Sequence, residues 1–406
     1  MHCLVCKRPI PDNSARKLCR EHSDAKYLFK SVDLLKSEDL FGKAPTIFVG
    51  EYGYPKVNVG ILSPPERKDD AWLYDAPNFW GQNLFDSPSV ISLRSSLINS
   101  KFEVPIKQKA NKLLEMAQEI SMASRPVDVD ILLRKKPVFK LSVNDITMPH
   151  GPRADLKTVK LAENPHIDTK VEKVVSDTDL KSVDAMKYLN SKGFGENELI
   201  KLLSVGNLGV KVQRRLVPTK WSITAVHDQL GKNLINAIKD YNSLDYTLFF
   251  GGYMDNFFLV MTFPDVWSYE LFETYVSGKP ADELNYTTDY EFYGGRKTYA
   301  ENCVGGYYSS RLAVLEKLNQ LHRQASVLAI RFTLPAYDVP LGVWVVLEAT
   351  RKSVQNKVMS FDSREKMIDH AKALAKDKFG LDITVFLNNS KVLSNIKSQS
   401  KLSSFL

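Results

Sequence analysis

The chain has 406 residues, of which 55 are basic and 47 acidic, so its formal net charge is +8. Hydrophobic residues make up 44% and charged residues 25% of the sequence, a globular composition that excludes wholesale disorder. Apolar runs of about 18 residues, the length of a membrane span, do not occur. The first residues lack the basic and apolar regions of a signal peptide. Four cysteines in 406 residues are too few for a secreted disulfide scaffold. We therefore expect a reduced, cytoplasmic protein.

Three of the four cysteines lie within the first nineteen residues and suggest a metal site. Cys3 and Cys6 form one pair at knuckle spacing, and Cys19 and His22 form a second. Three thiolates and one imidazole are an established tetrahedral set for structural zinc, and such a closed site has no open position for catalysis. Chance clustering of reduced surface thiols is the alternative. The pairing predicts a zinc-finger-like module at residues 1–25 that gains its folding energy from Zn²⁺.

The next residues predict two strands joined by a loop that carries glycine and tyrosine. Residues 46–49 and 56–61 are short apolar runs, whereas 50–55 contains two glycines, two tyrosines and a proline. The tyrosines could offer aromatic faces to a base or nucleotide. A hairpin with ordinary cross-strand aromatic packing fits the same pattern, so both interpretations stay open.

A helix, a strand and an irregular loop are predicted next. Residues 107–121 repeat apolar positions with a helical period, and 138–143 alternate as in a strand. Proline and glycine then predict an irregular loop at 148–153. His150 in that loop is a candidate catalytic group because imidazole titrates near neutral pH, although a solvated loop histidine is the alternative.

Basic residues surround a tryptophan ahead of a predicted helix at 222–240. Cations bind phosphate and an indole stacks on a base, which would suit a nucleic acid. An exposed loop with a cation–π contact explains the same residues. With further arginines from elsewhere, the candidate nucleic-acid or nucleotide ligands are Arg94, Arg214, Arg215, Lys220, Trp221 and Arg296.

The second half of the chain predicts strands and helices around a segment rich in tyrosine. Strands are predicted at 246–250, 257–261, 327–334 and 342–349, and helices at 306–322 and 363–379, the second ending at Gly380. The glycine pairs at 294–295 and 305–306 would allow either close approach of a phosphate or tight helix packing. Cys303 is predicted to be a small packing residue. No spacing specifies a mechanism; the candidates for acid–base chemistry are His150, Asp228, Glu291 and Glu301.

The last residues predict an exposed tail that carries a binding peptide. Residues 388–397 are polar, include two lysines and contain no acid. One helical turn would place three apolar side chains on one side, with a glutamine one turn earlier; these residues are Gln399, Leu402, Phe405 and Leu406. The pattern resembles the PIP peptide that docks on the sliding clamp PCNA, with Leu406 where a second aromatic is usual. A tail that folds back on its own protein is the alternative.

The whole chain resembles the archaeal Nre family of DNA-repair proteins. The resemblance rests on residues 48–60, 217–226 and 305–316, together with the cysteine module and the terminal peptide. It implies an N-terminal conserved region, placed at 26–283, and a C-terminal conserved region at 284–387, before a flexible tail at 388–406. It also implies zinc, clamp binding, a role in DNA repair and a nucleoid-associated location, but no catalytic residue.

We expect an α+β fold, and three functions remain open. The first is a repair factor recruited by PCNA that contacts DNA or a nucleotide through a basic and aromatic surface. The second is an enzyme acting on nucleic acid or a nucleotide, such as a nuclease, phosphodiesterase or ADP-ribosyl-type transferase. The third is a non-enzymatic adaptor between the clamp and another repair protein. Convergence of Lys220, Arg296 and a carboxylate in one pocket would favour the enzyme.

Overall fold

The computed structural model describes residues 37–107, 111–137, 146–276 and 285–398. The predicted zinc module, the predicted strand at 138–143 and the predicted clamp peptide lie outside these residues. The chain divides into two compact units, the first Met1–Val226 with Asp338–Gly342 and the second His227–Tyr337 with Val343–Leu406. Each unit contains a six-stranded sheet with helices around it, so the expected α+β class is confirmed.

The sheet of the first unit is mixed. Its strands are β1 (Asp39–Ala44), β2 (Thr46–Val49), β3 (Lys56–Ser63), β4 (Ile98–Pro105), β5 (Val127–Leu133) and β6 (Arg153–Leu161). They lie in the order β1-β5-β6-β4-β3-β2, and β4 and β6 are the parallel neighbours. The predicted hairpin is confirmed, since β2 and β3 pair antiparallel with Val49 opposite Val59.

Helices pack around this sheet, and side chains cap the starts of several of them. They are α1 (Pro77–Gln82), α2 (Ser87–Ser95), α3 (Lys112–Met122), α4 (Thr169–Ser176), α5 (Ser182–Ser191), α6 (Glu196–Ser204) and α7 (Thr219–Ile238). The division between the units falls within α7. The helix predicted from residue 107 begins at Lys112, because the Asn111 side chain accepts hydrogen bonds from the amides of Leu113 and Leu114.

The sheet of the second unit joins strands from distant parts of the sequence. Its strands are β7 (Thr247–Tyr253), β8 (Asn256–Phe263), β9 (Ser268–Tyr275), β10 (Tyr286–Glu291), β11 (Ser326–Thr333) and β12 (Met359–Ser360). In the order β10-β9-β11-β8-β7-β12, β11 runs parallel to β9 and antiparallel to β8. The predicted regions 26–283 and 284–387 therefore contribute strands to a single sheet.

Both faces of that sheet are covered by helices. They are α8 (Val304–Leu321), α9 (Trp344–Gln355), α10 (Arg364–Phe379), α11 (Thr384–Asn389) and α12 (Lys391–Ser398). Alternate β8 residues such as Leu259 and Met261 join a core cluster with α10. Phe258 and Val260 between them are equally buried, as expected for a strand covered on both sides. None of the described helices combines the length and apolarity needed to cross a bilayer.

The strand predicted at 342–349 is wrong, because this segment forms the start of α9. The turn before it contains Gly342, whose φ of 95° suits glycine. From Trp344 to Thr350 every residue of α9 is buried. Uniform burial removes the 3.6-residue alternation that identifies a helix, and a short β-branched run then resembles a buried strand.

The polar segment that was predicted to be an exposed tail is folded as far as Ser398. The carboxylate of Glu270 accepts hydrogen bonds from the Ser390 hydroxyl and from the amides of Lys391 and Val392, at 2.5, 3.0 and 3.1 Å. These contacts satisfy amides at the start of α12. Leu393 is buried in the same core cluster as α10. The second unit thus holds the chain up to the last residue before the predicted clamp peptide.

Candidate functional site

A cavity of about 180 Å³ opens beside the β2–β3 hairpin of the first unit. Residues of β2, β3 and β4 line it, together with Gly50 in the hairpin loop. Three cations from three elements line it, namely Lys101 of β4, Arg153 of β6 and Lys220 of α7. Glu51 is the carboxylate among the lining residues. The lining therefore carries a surplus of positive charge.

The start of α7 is fixed at the edge of this cavity. The Val49 amide donates a hydrogen bond of 2.9 Å to the Thr219 hydroxyl, which joins the end of β2 to the first residue of α7. Lys220 follows directly, and its ammonium lies 3.2 Å from a Glu51 carboxylate oxygen. Both side chains stay partly exposed. The pair holds Lys220 over the cavity without removing it from solvent.

Exposed aromatic side chains surround the opening. Tyr52 lines the cavity with 81% of its surface exposed. Tyr54 and Trp221 pack against each other with ring centroids 5.1 Å apart, although both remain more than two-fifths exposed. We call this face the pocket surface, comprising Tyr52, Tyr54, Lys101, Arg153, Lys220 and Trp221. The sequence left two interpretations of Trp221 open, stacking on a base and a cation–π contact in an exposed loop. In the structure its ring packs on Tyr54 of the hairpin loop.

His150 lies behind the cavity wall and is buried. Its Nδ1 is 3.1 Å from the Gly151 carbonyl oxygen, and its Nε2 is 3.3 Å from Nδ2 of Asn99, which lines the cavity. Burial, followed by the positive charge of Arg153, lowers the pKa of His150 to about 3. The imidazole is therefore neutral at physiological pH, and it is not the solvated loop histidine that was the alternative.

A second cluster of charged residues lies in the second unit around a fully buried arginine. Arg311 of α8 has 0% of its side chain exposed. Its guanidinium nitrogens lie 2.7 Å from Glu291 and 2.7 Å from Asp228. Burial alone would lower the pKa of Arg311, but Glu291, Tyr307 and Asp228 more than offset it and raise the pKa. The predicted candidates Asp228 and Glu291 thus come together as partners of one arginine.

Arg296 organises the loop after β10. Its guanidinium donates to the carbonyl oxygens of Tyr290, Thr298 and Tyr299, at 2.8, 3.2 and 3.0 Å. It also lies 3.2 Å from the Asp289 carboxylate. The residue belongs to the second unit, whereas Lys220 belongs to the first, and each faces a carboxylate of its own unit.

The other predicted ligands differ in exposure. Arg94 is buried and pairs with Asp75 at 2.8 Å, and Arg214 donates to three backbone carbonyl oxygens at 2.7–2.9 Å. Arg215 and Glu301 are exposed. Cys303 is buried, and burial raises the pKa of its thiol, as expected of a packing residue. Within the described ranges, no three His, Cys, Asp or Glu side chains form a metal-binding group.

Family models match almost the entire chain. The model described as "Archaeal Nre, N-terminal" matches residues 15–280, and "Archaeal Nre, C-terminal" matches residues 291–405. The chain belongs to the archaeal Nre family. The resemblance expected from the sequence is therefore confirmed. In the Nre chain the two model matches meet near β10, so the second-unit sheet takes strands from both.

Curated relatives of the Nre chain carry names that refer to DNA repair. "DNA repair protein NreB" of Archaeoglobus fulgidus is 39% identical over 333 residues, covering 80% of this chain and 83% of the relative. "DNA repair protein NreA" of Haloferax volcanii is 36% identical and covers 80% of each chain, and the protein of that name from A. fulgidus is 37% identical and covers 87% and 89%. No solved structure matches the chain.

Three polar residues of the Nre cavity were missed by sequence reasoning. Asn99 and Lys101 lie on β4 in a segment without a motif, and Arg153 begins β6 at the end of the predicted loop 148–153. The parallel pairing of β4 with β6 places Asn99 opposite Arg153 and Lys101 opposite Asp155. A strand pairing between residues more than fifty positions apart leaves no local signal. The run of three polar residues Asn99, Ser100 and Lys101 within β4 was the available indication.

Proposed function

We propose that the chain is a DNA-repair factor that contacts DNA through the pocket surface. The repair role is supported by the names of its relatives. The DNA contact is supported by one observation above the others, the meeting of Lys101, Arg153 and Lys220 at a single cavity ringed by exposed aromatics. Cations neutralise phosphates, and aromatic rings stack on bases with little dependence on sequence.

The charged cluster of the second unit is less accessible to a phosphate than the pocket surface. Arg311 already has two carboxylate partners and no exposed surface, so a phosphate would have to displace a buried ion pair. Lys220 and Lys101 have one carboxylate each, at the surface, where exchange for a phosphate costs little. DNA therefore has an accessible electrostatic site in the first unit.

The experiment is a salt titration of DNA binding by fluorescence anisotropy. Lys101→Gln combined with Lys220→Gln should weaken binding to labelled single-stranded DNA and lower the slope of log K against log salt by about 0.7 per lost contact. The matched control removes two exposed lysines of the second unit, with Lys232→Gln and Lys366→Gln. An equal loss of DNA affinity in both double variants would mean that binding depends on the net charge of the protein and not on the pocket surface. That result would contradict the proposal.

Recruitment to DNA belongs to the same proposal and rests on the terminal peptide. A tether to the PCNA clamp raises the local concentration at DNA, so a net charge of +8 suffices without strong intrinsic affinity. Phe405→Ala should abolish clamp binding in a pull-down with the purified clamp while leaving the unfolding curve unchanged. Full clamp binding by this variant would eliminate the peptide as the docking element.

Structural zinc at Cys3, Cys6, Cys19 and His22 is the remaining part of the proposal. The donor set suits Zn²⁺, and these residues lie outside the described part of the chain. We expect about one zinc per chain by metal analysis, lost in Cys6→Ser. Wild-type protein that contains no zinc would contradict the predicted zinc module.

A further inference from the structure

Helix α12 is attached to the second unit through a buried carboxylate. Glu270 of β9 is 0% exposed, and it accepts hydrogen bonds from the Thr288 hydroxyl and from the first residues of α12. A carboxylate at the start of a helix pairs with amides that have no partner within the helix, and the helix dipole favours it there. The start of α12 is therefore fixed to β9.

Apolar packing holds the rest of this helix. Val392 and Leu393 are buried, and Ile396 packs against the core cluster that contains Leu393. The helix lies against β9 and β11. Because one side of α12 is part of the core, its opposite side has a fixed direction relative to the second-unit sheet.

The exposed side of α12 is basic. We call it the α12 stripe, comprising Lys391, Ser394, Lys397 and Ser398, which are all exposed. Residues separated by three, four or seven positions share one side of a helix, so the first, second and fourth of these form a line and Lys397 lies beside it. The segment 383–398 contains no acidic residue. The stripe therefore presents two lysines without a neighbouring acid on the helix.

No spacer separates this helix from the predicted clamp peptide. α12 ends at Ser398, and Gln399 is the first residue of the peptide pattern. Consecutive Cα atoms are about 3.8 Å apart. A clamp that holds Gln399 in a pocket must therefore lie within about one residue of the end of the α12 stripe. A peptide on a long flexible tether would not impose this proximity.

We propose that the α12 stripe is a second contact surface for the PCNA clamp, beside the pocket that takes the terminal peptide. The inference rests on the proposed clamp recruitment and adds that the second unit itself meets the clamp. The two lysines fit an acidic patch of the partner. Complementary charges at the rim of an interface contribute mainly to the association rate and to specificity.

The first test reverses the charge of the stripe on the full chain. Lys391→Glu combined with Lys397→Glu should lower the affinity for the purified clamp at least fivefold at low salt, measured by isothermal titration. The loss should shrink at high salt, because exposed charges are screened. The matched control is Lys357→Glu combined with Lys366→Glu, two exposed lysines on either side of β12, at the far edge of the sheet from β9. It should change the affinity less than twofold.

The second test separates direct contact from general charge. Ten glycine and serine residues inserted between Ser398 and Gln399 span about 17 Å on average, more than the roughly 10 Å over which exposed charges interact at 0.1 M salt. In this insertion variant, the two stripe substitutions should change the clamp affinity less than twofold. A fivefold loss that persists after the insertion, or no loss in the chain without it, would overturn the inference.

A final comparison keeps this inference distinct from the proposed recruitment. Absence of clamp binding by the wild type, or full binding by Phe405→Ala, would contradict the recruitment and the stripe contact together. Clamp binding that depends on Phe405 but not on the stripe lysines would overturn the stripe contact alone. Weaker DNA binding with unchanged clamp binding in the stripe variant would assign the lysines to DNA and would also overturn it.

Discussion

The Arg311 cluster of the second unit and the pocket surface of the first both combine cations with carboxylates, but they differ in exposure. In the second unit, Arg311 is enclosed by Glu291 and Asp228 and contacts no solvent. In the first unit, Lys220 and Arg153 line an open cavity beside an acceptor that has no partner among the described residues. The comparison teaches that a charged residue noticed in a sequence can reach a ligand only where the fold leaves its side chain at the surface.

The buried cluster should give the largest effect on stability. Arg311→Ala leaves the fully buried Glu291 without its guanidinium partner and leaves Asp228 paired with Lys232. The variant should lower the free energy of unfolding by roughly 3–5 kcal/mol. Chemical denaturation measures this change. Arg364→Ala removes an exposed arginine of the same unit that pairs only with Glu365 and should stay within about 1 kcal/mol. Equal effects of the two variants would mean that the cluster does not stabilise the fold.

Acid should weaken the first unit through His150. Its pKa is lowered from 6.5 in the unfolded chain to about 3 in the fold, so below pH 6.5 the unfolded chain takes up a proton that the fold does not. Stability then falls by about 1.4 kcal/mol per pH unit, or about 2 kcal/mol by pH 5. His150→Gln should lose this part of the acid dependence. If the free energy of unfolding of the wild type and of His150→Gln changed equally between pH 5 and 7, a buried neutral imidazole would be contradicted.

The smallest effect on stability is expected at the pocket surface. Lys220→Gln breaks a partly exposed pair with Glu51 and should change the free energy of unfolding by less than about 1 kcal/mol. The same variant should weaken DNA binding measurably, which is the opposite of the pattern expected for Arg311. A large loss of stability would show that Lys220 stabilises the fold, and the DNA contact would then have to be sought at other residues.

Much of the local structure was predictable from the sequence. The hairpin of β2 and β3, the helices α8 and α10 and the cap at Gly380 follow from periodicity and turn residues close together in the chain. The strand predicted at 342–349 was wrong because α9 is buried on all sides. Periodicity reports a difference between faces, so it is silent where both faces are buried.

The sequence by itself determined the family and the loop that carries Tyr52 and Tyr54. The tertiary structure decided which of the charged residues remain available. Arg94 and Arg311 are enclosed with carboxylates, whereas Lys101 and Arg153 reach one cavity through the parallel pairing of β4 and β6. The structure also shows that the Asn99 NH₂ group lies against His150 Nε2 and that Asn99 Oδ1 has no hydrogen-bond partner among the described residues. Partner choice among polar groups is a property of distance and burial, and the order of residues along a chain does not contain it.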